Sequence, residues 1–478
     1  MRKFPFVLCV IFLILGLLGC GAQPAGPDMT TKEETAMLKA GYARVNITPD
    51  YGVPMSGYGN DAVRISSGLK SFLFATCVAF SDGEDTVLVI QTDLSQADIN
   101  VVNEVRGWVK SKHNIPMENV MIAATHSHSA PTVSGANASM EYRADLIGWL
   151  EEAAGEALAD LKPVTGIYYG NQNCPNLNFV RHYTTEAGII KGDGLNALVN
   201  SPYTGHTHAA DDLLQIARVD RQGGGSIVIA NWQSHPHRST SESDKELSSD
   251  IVGVMTQYVE KEMKDVRFIY FTGASGNINP HSRIEAENIT KDYKEQGNAL
   301  GKHAVSILRG EMSRVEGTNV QVCTSAYVAQ INHEDDHRVE DAKKVVEFWL
   351  ACYDTDQTRR FAYTYNMQSI HHAQRIIERS NMGVTQQIEL SAFSVGDFGF
   401  AVAPYEMFDT QGVTIREESP FQATFVISCC NNACGYIPSK EGFENDTYEA
   451  YSCRFKPGTG EALADEFVSM LGQLHTTK

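Results

Sequence analysis

The segment Asn119–Ser129 reads NVMIAATHSHS, an apolar run that ends in two histidines. The run Val120–Ala124 is typical of a buried strand, and the carboxyl ends of such strands are where open α/β sheets collect their ligand sites. His126 and His128 at that position are consistent with chemistry, and equally with polar residues that finish a strand. The segment therefore predicts an α/β fold and leaves the role of the histidines to the rest of the chain.

Three further strand-like runs are each followed by a residue of a type that can bind a metal ion. These runs, each with the residue that follows it, are Ser226–Trp232 with His235, Phe398–Ala403 with Glu406, and Thr424–Ser428 with Tyr436. Two histidines and a carboxylate with one open position suit a catalytic zinc ion. Taken singly, Glu406 is also consistent with a helix start and Tyr436 with a core aromatic residue.

The remaining pattern alternates strand-like and helix-like segments, as α/β domains do. Further apolar runs predict strands at Leu73–Phe80, Thr86–Ile90, Leu213–Val219 and Arg267–Phe271. Apolar spacing predicts helices at Asp98–Lys112, Ala138–Leu161, Asp250–Met263 and Asp292–Leu308. The Gly-rich turn at residues 221–225 predicts a hairpin, so part of the sheet is antiparallel. We predict one large domain at residues 38–478, with a mixed sheet flanked by helices and an elaborated edge near residues 334–380.

Composition narrows the class of partner. The chain has 39 Lys and Arg against 58 Asp and Glu, a formal net charge of −19, and such an acidic protein is a poor ligand for nucleic acid. We therefore expect a small substrate and no nucleic acid partner. The cysteines of the mature region lack the Cys-x-x-Cys pairs of a structural zinc site, so we interpret them as packing or disulfide residues.

The N-terminus has the pattern of a bacterial lipoprotein signal. Arg2 and Lys3 precede an apolar core that ends in Leu-Leu-Gly-Cys20, and a basic region before a short apolar core is typical of export. We predict a signal peptide at residues 1–19, acylation at Cys20 and a flexible tether at residues 20–37. The expected location is the bacterial cell envelope, with the lipid anchor in a membrane and the protein facing the periplasm or the cell surface.

Several segments resemble the catalytic domain of the neutral, non-lysosomal ceramidases. GYARVNITP at 41–49 and MSGY at 55–58 are similar to the start of that family, and THSHSAP at 125–131 resembles its THTHSGP. The resemblance covers most of residues 40–475, and the order of the segments carries it. It implies the family's α/β fold and one zinc ion per chain. The ligands that it implies are His126, His235, Glu406 and Tyr436.

The same resemblance implies roles for other residues. His128 and Tyr448 fall on active-site residues, Arg181 falls on a substrate-binding arginine, and the segment that ends in Asp250 resembles one that lines the same cleft. Where ceramidases have GDVSPN this chain has GNINP, so Asn279 stands where the family has a serine once proposed as the nucleophile. The chain ends about thirty residues after Tyr448, so we expect no counterpart of the C-terminal β-sandwich domain of ceramidases.

The implied chemistry is hydrolysis of an amide bond by water on zinc, whose pKa the metal lowers toward roughly 7. His128 is the candidate to protonate the leaving group. Arg181 is expected to anchor the substrate, and Tyr448, Asn277 and Asn279 are candidates to stabilise the carbonyl oxygen. We expect a small amphiphilic or sugar amide as substrate. Two alternatives remain, a metal-dependent carbohydrate esterase or deacetylase and an inactive lipoprotein that binds lipid or glycan.

A second histidine motif competes with this site. HEDDH at 333–337 matches the HExxH signature of zincin metalloproteases, whose two histidines lie one turn apart on a buried helix. The inner positions here are aspartates and helical spacing begins only at Val339, so we interpret the motif as a helix start capped by Asp335 and Asp336. The other paired histidines are interpreted as surface or packing residues, namely His206, His208, His371 and His372.

Overall fold

The computed structural model describes residues 37–58, 64–135, 137–193, 195–241 and 243–477. These residues belong to one compact unit of the chain. The predicted signal peptide, the acylation site at Cys20 and the tether up to residue 36 lie outside them. Within the described ranges, no helix has both the length and the hydropathy that crossing a bilayer requires.

Strands and helices alternate along the chain. The strands are β1 (Lys39–Asn46), β2 (Gly68–Leu69), β3 (Phe74–Ser81), β4 (Thr86–Thr92), β5 (Val120–Ala124), β6 (Lys162–Asn173), β7 (Phe179–Val180), β8 (His182–Thr185), β9 (Lys191–Gly192), β10 (Tyr203–His206), β11 (Leu213–Arg221), β12 (Ser226–Trp232), β13 (Glu246–Leu247), β14 (Val266–Thr272), β15 (Ile278–Asn279), β16 (Ser313–Val315), β17 (Val320–Gln330), β18 (Thr385–Val395), β19 (Phe398–Val402), β20 (Glu406–Met407), β21 (Ala423–Ile427) and β22 (Tyr436–Ile437). The helices are α1 (Ile99–His113), α2 (Met140–Ala159), α3 (Asp250–Glu262), α4 (Tyr293–Arg309), α5 (Val339–Cys352), α6 (Thr355–Tyr363), α7 (Ile370–Ser380), α8 (Asp409–Glu418), α9 (Lys440–Glu444), α10 (Tyr448–Ser452) and α11 (Thr459–Thr476).

The larger sheet has nine strands in the order β14-β12-β11-β6-β1-β3-β4-β5, with β16 beside β6. The pairs β4–β5 and β12–β14 are parallel, and the other neighbours are antiparallel. The Gly-rich segment forms the predicted hairpin between β11 and β12. The observed sheet is therefore mixed, as the sequence predicts.

Two pairs of helices cover the outer face of this sheet. α1 and α2 pack on its β3–β5 half through residues such as Val105 and Leu146, and α3 and α4 pack on its β12–β14 half through Met255 and Leu300. All predicted strands and helices are present, with ends that agree within two residues. The Asp98 side chain caps α1 by accepting two backbone N–H groups, so that helix begins one residue later than predicted.

A second sheet, with strand order β17-β18-β19-β21, packs on the inner face of the first. Phe393, Phe398, Phe400 and Phe425 cluster between the sheets, with neighbouring ring centroids 4.2, 4.5 and 4.7 Å apart. α8 and α11 cover the outer face of the second sheet. The protein thus has four layers, helices, sheet, sheet and helices, and the sequence pattern does not separate the two sheets.

The elaborated edge predicted near residues 334–380 is a group of three helices. α5, α6 and α7 enclose a small core of their own, which includes Ala342, Ala362 and Ile376. HEDDH precedes this group as a short 3-10 turn at Asp336–Arg338 rather than as part of a helix. The two aspartates form ion pairs instead of the predicted caps, because Asp335 pairs with Arg338 and Arg379, and Asp336 pairs with His333.

The described cysteines form no disulfide with one another. Cys77, Cys174, Cys430 and Cys453 are buried side chains of the core. Burial raises the pKa of the Cys453 thiol to about 11, which keeps it protonated. Of the two interpretations of these residues, packing is therefore the one that the structure supports.

Candidate metal centre

The two histidine segments follow strands near opposite edges of the larger sheet. β5 forms one edge, β12 lies next to the other, and six steps between strands separate them. Neighbouring strands are rotated relative to one another by roughly 20–25°. β5 and β12 point in opposite directions in a topology diagram, but the twist accumulated across the sheet brings their carboxyl ends toward each other. The ends meet where Thr272 Oγ1, at the last residue of β14, donates a hydrogen bond of 2.8 Å to the carbonyl oxygen of Thr125.

Four side chains predicted as metal ligands lie together at this meeting point. His126 Nε2 is 3.1 Å and His235 Nε2 is 3.3 Å from the same carboxylate oxygen, Glu406 Oε2. The Tyr436 hydroxyl is 3.5 Å from His235 Nε2. Glu406 and Tyr436 are paired residues of the short parallel strands β20 and β22, which explains their proximity despite thirty positions of separation.

Backbone carbonyls fix the orientation of two of these imidazoles. His126 Nδ1 lies 2.6 Å from the Ser95 oxygen, and His235 Nδ1 lies 3.0 Å from the Ile278 oxygen. With each Nδ1 hydrogen-bonded to a carbonyl oxygen, each Nε2 is the nitrogen that faces the centre, as in histidines that bind metals. His126 also has φ +69°, a conformation that costs a non-glycine residue about 1–3 kcal/mol and is typical of functional sites.

His128 lies beside the same group. Its Nε2 is 3.5 Å from His126 Nε2, and the nitrogens of His126, His128 and His235 lie within 4.8 Å of one another, close enough to hold one metal ion. Unlike the other two rings, His128 has a buried Nδ1 with no hydrogen-bond partner in the described part of the chain. Burial, and then the charge of His126, lower its pKa well below the ordinary value, so the ring is neutral.

The donor set fits a divalent cation. Burial alone raises the pKa of the Glu406 carboxyl, but His126 and His235 outweigh it and hold that pKa well below its usual range. The carboxylate is therefore ionised, and Oε2 is a buried atom with no directed hydrogen bond among the described residues, although both Nε2 atoms are in contact with it. The carboxylate oxygen and the two Nε2 atoms thus converge on one point, and imidazole with carboxylate is a zinc donor set.

Arg181 and two tyrosines stand beside these donors. The Arg181 guanidinium carbon is 5.2 Å from the Tyr436 ring centroid and 5.9 Å from that of Tyr448. Arg181 also donates to the Gly276 oxygen at 2.7 Å and pairs with buried Glu449 at 2.5 Å. Arg181 is therefore neutralised by a carboxylate and holds both phenol rings in place.

Two solved structures resemble this arrangement of layers. The neutral ceramidase from Pseudomonas aeruginosa superposes with a TM-score of 0.70 at 16% sequence identity, over 92% of this chain and 75% of that one. The chain has the neutral ceramidase fold. A ceramidase complexed with C2 superposes with a TM-score of 0.68 at 16% identity, over 92% of this chain and 76% of that one. No family model and no curated protein matches the sequence itself.

The ceramidase-like fold surrounds the donors with a cavity of about 1320 Å³. His126, His128, Glu406, Tyr436 and Tyr448 all line it. His237 and His281, to which the sequence analysis assigns no role, line it too, with the His237 ring 5.4 Å from that of His128 and 5.7 Å from that of His281. His237 repeats the His-x-His spacing of the first segment, and that repetition is the signal that predicts it.

Of the four residues that the sequence analysis places at the substrate, Arg181 and Asn279 line the cavity, and Asn277 and Asp250 are not among its described lining residues. The Asn279 side chain lies between His237 Nε2, at 3.1 Å, and Asp193 Oδ2, at 2.9 Å. Asn277 exchanges hydrogen bonds with Asp409, and Asp250 accepts the Ser239 N–H. These contacts indicate that Asn277 and Asp250 hold neighbouring loops.

The other histidines have mixed outcomes. His371 is predicted as a surface or packing residue, but it lines the cavity with its ring 6.3 Å from that of Tyr448, because the helical group folds over the site. The remaining three have contacts of the predicted kind, in which His206 pairs with Glu287, His208 pairs with Asp409, and His372 stacks on Tyr451.

Gly57 supports His128 from the opposite side. Its φ is +114°, and a Cβ built there would lie 2.6 Å from the His128 Cβ. We predict that Gly57→Ala displaces His128 and lowers kcat/KM by roughly 10- to 100-fold while the metal content is retained, because such displacements cost that much in active sites. Gly107→Ala, on α1 with open space at its Cβ, is the matched control. Unchanged kinetics in Gly57→Ala would contradict the prediction.

Proposed function

We propose that the protein is a zinc-dependent hydrolase that cleaves an amide bond. The observation that carries the proposal is the convergence of His126 Nε2 and His235 Nε2 on Glu406 Oε2 at the wall of a large cavity. The ceramidase fold supports the choice of an amide, since the two solved relatives are ceramidases. The N-terminal pattern is the basis for proposing that the enzyme acts at the bacterial envelope through a lipid on Cys20.

We assign the metal to His126, His235 and Glu406, with Tyr436 at the edge of the set. Zinc held there would lower the pKa of a water molecule toward about 7 and polarise the substrate carbonyl. The fixed Nδ1 protons keep both imidazoles in the tautomer that binds a metal. The buried carboxylate supplies the negative charge that keeps a divalent cation in place.

His128 is assigned to proton transfer. It lines the cavity beside the donors, and no carbonyl fixes its Nδ1 in the way that carbonyls fix the other two rings. His128 Nε2 takes a proton from the attacking water as the carbon–oxygen bond forms. The same nitrogen then returns the proton to the leaving nitrogen as the carbon–nitrogen bond breaks, so the products are a carboxylic acid and an amine.

Tyr448 is assigned to the carbonyl oxygen. Burial raises the pKa of its hydroxyl, although Arg181 opposes that effect, so the phenol keeps its proton and can donate it to developing negative charge. We predict that Tyr448→Phe lowers kcat by about 10²- to 10³-fold with KM and metal content nearly unchanged. Tyr451→Phe, on the same helix and not among the described residues of the cavity wall, is the control. Equal losses in both variants would assign Tyr448 a packing role.

A panel of substrates tests the reaction itself. The purified protein is incubated with N-acyl sphingosine, an N-acetylated amino sugar and matched acyl esters, and amine and acid release are measured. Amine release that His126→Ala abolishes is the expected result. Release from the esters alone would replace the amidase by an esterase, and no product from any member would favour a binding protein.

The polar wall of the cavity favours one second candidate, an amino-sugar deacetylase. Side chains such as Ser95, Thr132, Asn279 and Gln374 line the space around the donors, and such groups bind hydroxyls better than they bind an alkyl chain. Deacetylation uses the same residues in the same roles. The amino-sugar arm of the panel separates the two candidates.

A further inference from the structure

The cavity differs in charge from the rest of the chain. The whole sequence has 39 basic and 58 acidic residues, whereas the described residues that line the cavity include six Lys or Arg and four Asp or Glu. Among these four acids, Glu406 belongs to the metal centre and Asp193 pairs with Arg283. The lining thus has more basic than acidic residues, six against four, in a chain where acids outnumber bases. A local excess of positive charge in a concave site attracts anionic ligands.

The helical group supplies two of these cations from one wall. Arg359 on α6 and Arg375 on α7 both line the cavity. α7 presents a continuous face to it, since Ile370, His371, Gln374 and Arg375 are all lining residues. This face reaches the reacting centre, where the His371 ring lies 6.3 Å from that of Tyr448.

Neither guanidinium is saturated by the protein. Arg359 Nη1 donates to Asp356 at 3.2 Å and Arg375 Nη1 donates to Glu378, and each Nε is a buried atom with no hydrogen-bond partner among the residues described. Glu378 is shared with Arg454, at 2.7 Å, so one carboxylate serves two arginines. The two side chains are 23% and 19% exposed. A partly buried guanidinium with open donors is suited to a bidentate bond with an anion.

We propose that Arg359 and Arg375 bind an anionic group, a carboxylate, sulfonate, sulfate or phosphate, on the leaving portion of the substrate. The proposal rests on the proposed amide hydrolysis, and it includes the substrate orientation in which the leaving amine extends past Tyr448 toward α7. The aromatic rings of Trp349 and Tyr353, 5.5 Å apart on the same wall, cover the uncharged atoms of that portion. The enzyme therefore prefers an N-acylated anionic amine to a neutral one.

Binding of matched ligands tests this preference without turnover. Octanesulfonyl derivatives of ethanolamine, glycine, taurine and phosphoethanolamine share one tail and resist hydrolysis, and they differ in the neutral, carboxylate, sulfonate or phosphate group that they carry. We expect calorimetry on the wild-type protein at low ionic strength to give at least about tenfold tighter binding of one or more anionic members than of the ethanolamine member. The arms identify which anion fits best. A preference below about twofold for every anion would overturn the proposal.

Substitutions test whether the preference for anionic ligands comes from Arg359 and Arg375. Arg359→Gln and Arg375→Gln are each expected to lower the ratio of anionic to neutral binding, and the double variant is expected to bring it near unity, with binding of the ethanolamine member retained. Arg360→Gln, on the same helix but exposed and not among the described cavity residues, should leave the ratio unchanged. An undiminished ratio in the double variant would contradict the assignment.

Two further results keep the outcomes distinct. If the double variant does not fold, the ratio of anionic to neutral binding is measured on the wild-type protein at increasing ionic strength. A preference that comes from ion pairs falls as ionic strength rises, because salt screens charges, whereas a preference that comes from shape does not. If the anionic ligands bind selectively but no amide is cleaved, the anion site stands and the proposed reaction fails. If neutral amides are cleaved and no anion is preferred, the reaction stands and the anion site fails.

Discussion

His235→Ala is expected to abolish binding of the proposed metal and to lower kcat/KM by about 10³-fold or more. The imidazole supplies one of the three converging atoms of the proposed ligand set, and its side chain is fully buried. A catalytic metal ion typically contributes several kcal/mol of transition-state stabilisation, and about 1.36 kcal/mol is a factor of ten in rate. Atomic emission on the dialysed protein gives the metal content, and steady-state kinetics on the best amide of the panel give the rate.

Two further alanine variants serve as controls for the His235→Ala result. His333→Ala removes the first histidine of HEDDH, which is partly exposed and pairs with Asp336, and it should retain both metal and activity. His128→Ala should retain most of the metal and lose most of the activity, because the ring is assigned to proton transfer. Metal that persists in His235→Ala, or that disappears in His333→Ala, would contradict the centre described above.

Glu449→Gln is expected to destabilise the protein by about 3–5 kcal/mol. The Glu449 carboxylate is buried between Arg181, at 2.5 Å, and His182, at 2.8 Å. The amide removes the negative charge and leaves the buried guanidinium uncompensated, which is the change that makes broken buried ion pairs costly. Unfolding in urea measures the difference. Glu340→Gln, which breaks an exposed ion pair on α5, should change stability by less than about 1 kcal/mol.

The same carboxylate predicts a dependence of stability on pH. Burial alone raises the pKa of Glu449, but Arg181 and His182 outweigh it and lower the pKa to about 2 from an ordinary value of 4.5. Its contribution to stability, about 3 kcal/mol for a shift of this size, is therefore complete above about pH 4.5 and is lost as the pH falls toward 2. Glu449→Gln should lack this part of the acid sensitivity. Parallel pH profiles of wild type and variant would contradict the ion pair.

Part of the candidate metal centre could be predicted from the sequence, because two of its side chains follow the ends of predicted strands. His126 and His235 directly follow apolar runs, so the pattern that predicts the strands also predicts where the histidines lie. The proximity of Glu406 and Tyr436 follows from the pairing of two short strands, which leaves no periodic signal, and only the resemblance to ceramidases implied it. Asn277 is not among the described residues that line the cavity for a related reason, since neighbours on a chain turn to different sides of a loop.

The second sheet and the cavity wall formed by the helical group are harder to predict from the sequence than the strands of the larger sheet. β17 and β18 carry polar residues such as Gln321, Ser325 and Gln387, so their sequences lack the apolar runs by which the other strands are predicted. Arg375 and His371 lie on a helix whose local pattern indicates only an amphipathic surface. Their approach to Tyr448 depends on how the helical group packs on the domain, and that packing is set by contacts distant in sequence.

Zinc titration of the chelated protein tests the central claim most directly. The protein is stripped with a chelator, dialysed, and assayed for amide hydrolysis as zinc is added back. The account predicts that activity is lost on chelation and returns in full with about one zinc ion per chain, and that His126→Ala does not recover. Full activity in the stripped wild-type protein, with no zinc detected by atomic emission, would contradict it.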